Sequence, residues 1–234
     1  MTHGIFVSGT DTGVGKSVVA AALLRALVAA GRSAAGMKPV AAGLGTGETV
    51  HADVRALLAA GSVSGAPADV CPYAFAPPIA PHLAAAAAGV VIDVERIATA
   101  YARLAAAADA VVVEGAGGLL VPLAAGVDML DIPLRLGLPV LLVVGIRLGC
   151  LNHALLSAQA LEARGARFAG WVANRIDPAM QEGDANVATL AARLAAPLVA
   201  DVAWRDDRAP APEFDRAALA VLGFAEPRGR LPAR

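Results

Sequence analysis

The stretch Gly9-Thr10-Asp11-Thr12-Gly13-Val14-Gly15-Lys16-Ser17 gathers glycines, a lysine and a closing hydroxyl. Glycines allow successive backbone N–H groups to turn toward one point and form a nest for anionic oxygens. An apolar run, Ile5 to Val7, precedes the stretch, and Ser17 opens a helical run, Val18 to Ala30. That helix adds unpaired N–H groups and the positive end of its dipole. The chemistry this order serves is phosphate binding, with Lys16 reaching the β- and γ-phosphates and Ser17 ligating Mg²⁺. The match to Gly-x-x-x-x-Gly-Lys-Ser/Thr is imperfect, because Thr10 stands where the first glycine belongs. A Gly-rich turn can also simply join a strand to a helix, but Gly-Lys-Ser in this context favours a nucleotide site.

Further polar residues fall where strands should end. Ser33 to Met37 reads as a short second strand that delivers Lys38-Pro39-Val40 to its carboxyl end. Ligands of open α/β sheets sit there, so Lys38 is a second lysine aimed at the phosphate crevice rather than a solvated one. Ala110 to Val113 is too apolar on both faces for an edge strand. It runs into Glu114-Gly115-Ala116-Gly117-Gly118, an acid placed to orient a metal, with glycines that permit close backbone approach to a ligand. Asp53 lies in the first turn of a helix expected from His51 to Ala60. It either complements the helix dipole or faces the metal, and position leaves both open. Phe168 to Ala173 ends in Asn174, whose amide can read a purine edge. Asn152 is expected to cap the helix ending near Arg164, and His153 reads as a structural histidine.

The elements that must position these residues alternate. Helices are expected from Pro81 to Gly89, over Val94 to Ala107 behind an Asp93 cap, over Asp128 to Leu136 and over Ala185 to Leu194. Strands are expected over Pro139 to Gly145 and Leu198 to Val202. The segment Gly61 to His82, with Pro77-Pro78, resists assignment and reads as a long functional excursion. About six apolar strands alternating with helices mean an α/β fold, a mostly parallel central sheet with helices on both faces. One domain is expected over 1–234, with about 205–234 a C-terminal extension frayed from Pro227 to Arg234.

Composition narrows the function classes. The net charge of -1 gives no drive toward nucleic acid or anionic membrane. Charged residues make up only 17 %, which a buried subunit interface or alanine bias would explain. No apolar run approaches a membrane span, and the first strand leaves no room for a signal peptide. Cys71 and Cys150 are too few for a disulfide framework and lack metal-ligand spacing. A soluble, cytoplasmic protein is expected.

Five stretches in order, Gly9 to Ser17, Lys38-Pro39-Val40, Val113 to Gly118, Gly149-Cys150-Leu151-Asn152-His153 and Gly170-Trp171-Val172-Ala173-Asn174, resemble one family. It is the dethiobiotin synthetases of the P-loop NTPase superfamily, and the resemblance runs from Phe6 to about Trp204. It implies a three-layer P-loop NTPase-like fold and closure of the ureido ring of dethiobiotin from 7,8-diaminononanoate, CO₂ and ATP with Mg²⁺. Thr12, Gly13, Val14, Gly15, Lys16 and Ser17 would hold the triphosphate, with Glu114, Gly115, Ala116 and Gly117 nearby. Ser17, Asp53 and Glu114 would coordinate the metal. Lys38 and Lys16 would be catalytic, and Asn174 and the Trp204 stretch would meet adenine. Thr10, Lys38, Ala42 and Gly117 would meet the substrate. Leu148, Gly149, Cys150 and Asn152 would receive its carboxylate from the opposite subunit of a homodimer.

The resemblance has two departures. Ala42 stands where the family often has a hydroxyl, which a neighbour such as Thr46 could replace, and Ala203 stands where a proline is common. Two other readings compete. One is a switch ATPase of the partitioning or metal-insertion type, although Thr10 and Asp11 occupy the place of its early signature lysine. The other is an ATP-dependent ligase acting on a larger cofactor precursor.

Overall fold

The computed structural model describes residues 3–45, 47–205 and 212–224. The first half of the chain runs β1 (His3–Gly9), α1 (Lys16–Ala29), β2 (Ala34–Met37), β3 (Val40–Ala42) and α2 (Ala52–Ala60). It continues α3 (Pro67–Val70), β4 (Tyr73–Phe75), α4 (Pro81–Ala87), α5 (Val94–Ala107) and β5 (Ala110–Gly118). The second half runs β6 (Pro122–Ala124), β7 (Val127–Asp128), α6 (Asp131–Leu136), β8 (Val140–Ile146) and α7 (Cys150–Ala163). It ends β9 (Phe168–Arg175), α8 (Gly183–Arg193), β10 (Leu198–Val202) and α9 (Arg216–Val221).

Six strands form one sheet in the order β10-β9-β8-β1-β5-β2, every neighbouring pair parallel. Successive side chains of a strand point to opposite faces, so β1 feeds two cores. Phe6 joins Val113, Leu142 and Trp171 beneath α5 and α7. Ile5 and Val7 join Val112, Leu141 and Val143 beneath α1, whose Leu23, Leu24 and Leu27 are fully buried. Each such leucine stabilises the fold by about 2 kcal/mol relative to exposure. Helices therefore cover both faces, as expected from the sequence.

Register explains why chemistry collects at one end of this sheet. Met37 lies opposite Val113 and Val7 opposite Glu114, so the next residues on β2 and β1 emerge beside Glu114. Between Val7 and Gly9 the pairing with β5 jumps from Glu114 to Gly118, and the intervening Gly115 to Gly117 bulge out at the strand ends.

Several expectations change. Gly61 to His82 contains α3 and β4, and β4 pairs in parallel with β3. Lys38 N donates to Val70 O and Tyr73 N to Pro39 O, tying this segment to the Lys38 strand. Asp128 does not start a helix. It lies in β7, which pairs antiparallel with β6, and α6 starts at Asp131. Asn152 does not cap α7, because the cap is Gly149 in the left-handed region and Asn152 lies inside the first turn. Helix α1 begins at Lys16, one residue before Ser17. Of the C-terminal extension, Phe214, Leu219, Leu222 and Phe224 join the core around α1. Thr46 and Pro227 to Arg234 lie outside the described residues.

Candidate active site

The loop after β1 owes its shape to Gly13 and Gly15, at φ 75° and 89°, where a side chain is strained. Gly15 also faces a close neighbour, since a Cβ there would lie 2.2 Å from Asn174 Nδ2. Asn174 presses on this turn from β9 and donates Nδ2 to Val14 O at 2.8 Å. Among the described residues no side chain caps α1, which leaves its first turn free to meet an anion. Asp11 organises the front of the loop. Its Oδ1 accepts from Thr12 N, its Oδ2 is paired with Arg147, and its main-chain oxygen accepts from Lys16 Nζ at 2.8 Å. Burial and the charge of Lys38 push Lys16 down to a pKa of about 8.

Beside the loop, a buried cluster assembles from three elements distant in sequence. Lys38, 3 % exposed, donates Nζ to Glu114 Oε1 at 2.6 Å and to Gly115 O at 3.1 Å, and lies 2.9 Å from Asp53 Oδ2. Burial disfavours the ammonium, but Glu114 and Asp53 outweigh it and hold Lys38 above the ordinary lysine pKa. Burial likewise opposes the Asp53 carboxylate, and the adjacent Lys38 charge overrides it and lowers the pKa. Ser17 Oγ donates to the same Glu114 oxygen at 2.7 Å. Glu114 is fully buried, and its Oε2 has no partner among the described residues. An orphaned carboxylate oxygen among a hydroxyl and a second carboxylate is a hard-oxygen set that suits Mg²⁺. Among the described residues no three His, Cys, Asp or Glu side chains form a metal cluster, so the set needs the Ser17 hydroxyl.

These groups open onto a cleft of about 740 Å³. Thr12, Gly13, Gly15, Lys16, Ser17, Lys38, Ala42, Asp53, Glu114, Ala116 and Gly117, all singled out from the sequence, line it. Val14 and Gly115 do not line it. Val14 is 1 % exposed in the core, and Gly115 sits against Phe6. Thr10 faces a second cleft of about 410 Å³, which shares Val121 as a wall with the first. Neither Asn174 nor Trp204 borders the main cleft, and Trp204 is half exposed. Leu148, Gly149, Cys150 and Asn152 also stay outside it. Leu148 is 93 % exposed while Cys150 is buried. His51 lines the cleft without having been given a role, and so does the turn Pro78 to Pro81, from the segment read as a functional excursion but with no residue of it assigned. The proline run in the sequence was the available signal for the turn.

A family model described as an AAA domain matches residues 3–211. The ATP-dependent dethiobiotin synthetase BioD of Aromatoleum aromaticum is 52 % identical over 83 % of this chain and 87 % of that one. The BioD of Nitrosospira multiformis is 53 % identical over 85 % and 87 %, and that of Ralstonia nicotianae 48 % over 92 % and 93 %. The chain belongs to the ATP-dependent dethiobiotin synthetase family.

Solved structures place this dethiobiotin synthetase family member in a wider fold. The septum site-determining protein MinD of Pyrococcus horikoshii, complexed with Mg-ADP, is 17 % identical with a TM-score of 0.53, over 97 % of this chain and 87 % of that one. Cobyrinic acid a,c-diamide synthase of Mycobacterium smegmatis, with bound ADP and magnesium, is 16 % identical with a TM-score of 0.52, over 96 % and 92 %. At such identity the likeness is one of fold alone. The two rival readings from the sequence share the fold, and the close relatives are dethiobiotin synthetases. Among the described residues no helix is long and apolar enough to cross a membrane.

Proposed function

We propose that the protein closes the ureido ring of dethiobiotin on 7,8-diaminononanoate with CO₂ and ATP. The observation that carries this reading is a second lysine, Lys38, held between Asp53 and Glu114 at the mouth of the phosphate loop. A plain phosphate-binding ATPase needs Lys16 and the loop, and gives no reason to bury another cation beside them.

One amine of the diamine captures CO₂ as a carbamate and releases a proton. A carbamate oxygen attacks the γ-phosphorus, and ADP departs. The second amine attacks the carbonyl carbon of the resulting carbamic–phosphoric anhydride, expels phosphate, loses a proton and closes the ring. An anionic nucleophile thus meets an anionic phosphoryl group, and the protein's task is to neutralise charge where it builds up. Lys38, held by two carboxylates, would offer its ammonium at that junction, while Lys16 would serve the β- and γ-phosphates. Ser17, Asp53 and Glu114 would hold Mg²⁺, which when bound neutralises phosphate charge. Thr12 to Ser17 would cradle the triphosphate and Asn174, with the Trp204 stretch, the adenine. Thr10, Ala42 and Gly117 would meet the diamine.

The active unit in this reading is a homodimer. Leu148 to Asn152 lie away from their own cleft, and Leu120, Leu148 and Leu156 are all more than half exposed, as an interface that serves the partner's substrate carboxylate would leave them. Sedimentation analysis should give twice the chain mass, and a monomer active at the same concentration would contradict this part of the reading. The chemistry is tested by mass spectrometry of the product formed from diamine, bicarbonate and ATP. A product of dethiobiotin mass is expected, and its absence alongside ATP hydrolysis would return the switch-ATPase reading.

A further inference from the structure

His51 is the ring-bearing residue of the cleft wall that the reading above leaves without a role. It stands at the N-cap of α2, and its Nδ1 accepts from Asp53 N at 3.2 Å. Its Nε2 lies 3.2 Å from Ala42 O at the end of β3. A backbone N–H can only donate and a carbonyl can only accept. Both bonds therefore require one neutral imidazole, bare at Nδ1 and protonated at Nε2. The ring spans from Ala42 to Asp53 directly, bypassing a loop that contains Gly43, Gly45 and Gly47. Two of those glycines, Gly43 and Gly47, adopt positive φ. Arg55 of α2 also holds this loop, through Glu48 and the Val50 carbonyl, and the His51 ring adds the direct tie from helix to strand.

We propose that His51 is a positioning residue. By tying the start of α2 to the end of β3, it holds the Asp53 carboxylate against Lys38 in the cleft that Ser17 also lines. The proposal rests on the reading above that Asp53 serves the phosphate and metal centre. Asp53 Oδ2 lies 2.9 Å from Lys38 Nζ, and Asp53 lines the same cleft as Ser17. Among the described residues, the side chain that caps α2 is His51, and it does so through Asp53 N. A plain helix cap would need only a short acceptor such as Asn or Ser. The histidine does more, because its far nitrogen reaches a second element that lines the same cleft.

Asparagine separates the two roles, since it keeps an acceptor for Asp53 N but does not reach Ala42 O. His51→Asn and His51→Ala would be compared with the parent by thermal unfolding and by the strengthening of fluorescent ATP-analogue binding on adding Mg²⁺. Diamine-dependent phosphate release would be followed alongside. His51→Asn should unfold with the parent, yet lose about 10-fold in Mg²⁺ enhancement or in kcat, the scale of losing an outer partner of a metal ligand. His51→Ala should lose at least as much and unfold earlier. If His51→Asn matched the parent in both Mg²⁺ enhancement and kcat, His51 would be only a cap and the proposal would be overturned. The binding readout needs no diamine. A parent protein with no diamine-dependent release would therefore sink the proposed reaction, while the Mg²⁺ titration still decided the role of His51.

Discussion

Lys16 Nζ donates to the main-chain oxygen of Asp11 at 2.8 Å, so this lysine closes on its own loop. Burial and the neighbouring Lys38 charge bring its pKa to about 8. A triphosphate bound there favours the ammonium and raises that pKa. The sign follows. Binding takes up a proton, and affinity is greatest below pH 8 and falls as pH rises through and above 8. At pH 8 roughly half a proton should be taken up per Mg-ATP bound. Calorimetry in two buffers of different ionisation enthalpy checks this, and uptake of zero at pH 8 would contradict it.

Removing the second cation should act on the reaction rather than on binding. Lys38→Gln is expected to lower diamine-dependent turnover by about 10²–10³-fold, the scale of losing one preorganised charge-stabilising group. ATP binding should stay within a few-fold of the parent. Turnover within a few-fold of the parent would remove Lys38 from its assigned role.

The same lysine is structural as well. Its partner Glu114 is wholly buried. Lys38→Met would strand that carboxylate, and breaking such a pair by removing one member costs about 3–5 kcal/mol. Adding Glu114→Gln removes the stranded charge and should recover most of the loss. Urea unfolding without nucleotide or metal measures both variants. A loss below 1 kcal/mol in Lys38→Met would mean that Asp53 and Ser17 reorganise to absorb the change.

Two glycines of the loop should differ under the same substitution. Gly13 and Gly15 both sit at positive φ, but a Cβ at Gly13 meets nothing within 4 Å while one at Gly15 strikes Asn174. Backbone strain of order 1–3 kcal/mol applies to each. Gly15→Ala must also displace Asn174 from Val14, so it should weaken nucleotide binding well beyond Gly13→Ala. Equal binding by the two variants would show that the Asn174 contact does not shape the loop.

Much of this was legible in the sequence. The apolar runs gave the six strands, and Gly-Lys-Ser placed the loop at the end of β1. Lys38 and Glu114 were marked because each follows a buried strand. Their contact was not legible, because it depends on β2 pairing with β5 so that Met37 meets Val113. That register is a tertiary fact joining residues 76 apart. Asp53 was undecided between dipole and metal, since its position in a helix turn does not say which way the helix points. The start of α7 was misread because Asn152 has good capping chemistry, while the left-handed turn at Gly149 does the capping without a side chain. Strands β3 and β4 have three residues each, too short for any period to show.

The most direct measurement is phosphate release by the purified protein with ATP, Mg²⁺ and bicarbonate, with and without 7,8-diaminononanoate. The account predicts release that depends on the diamine and matches dethiobiotin formed one for one. Release that is indifferent to the diamine would contradict it.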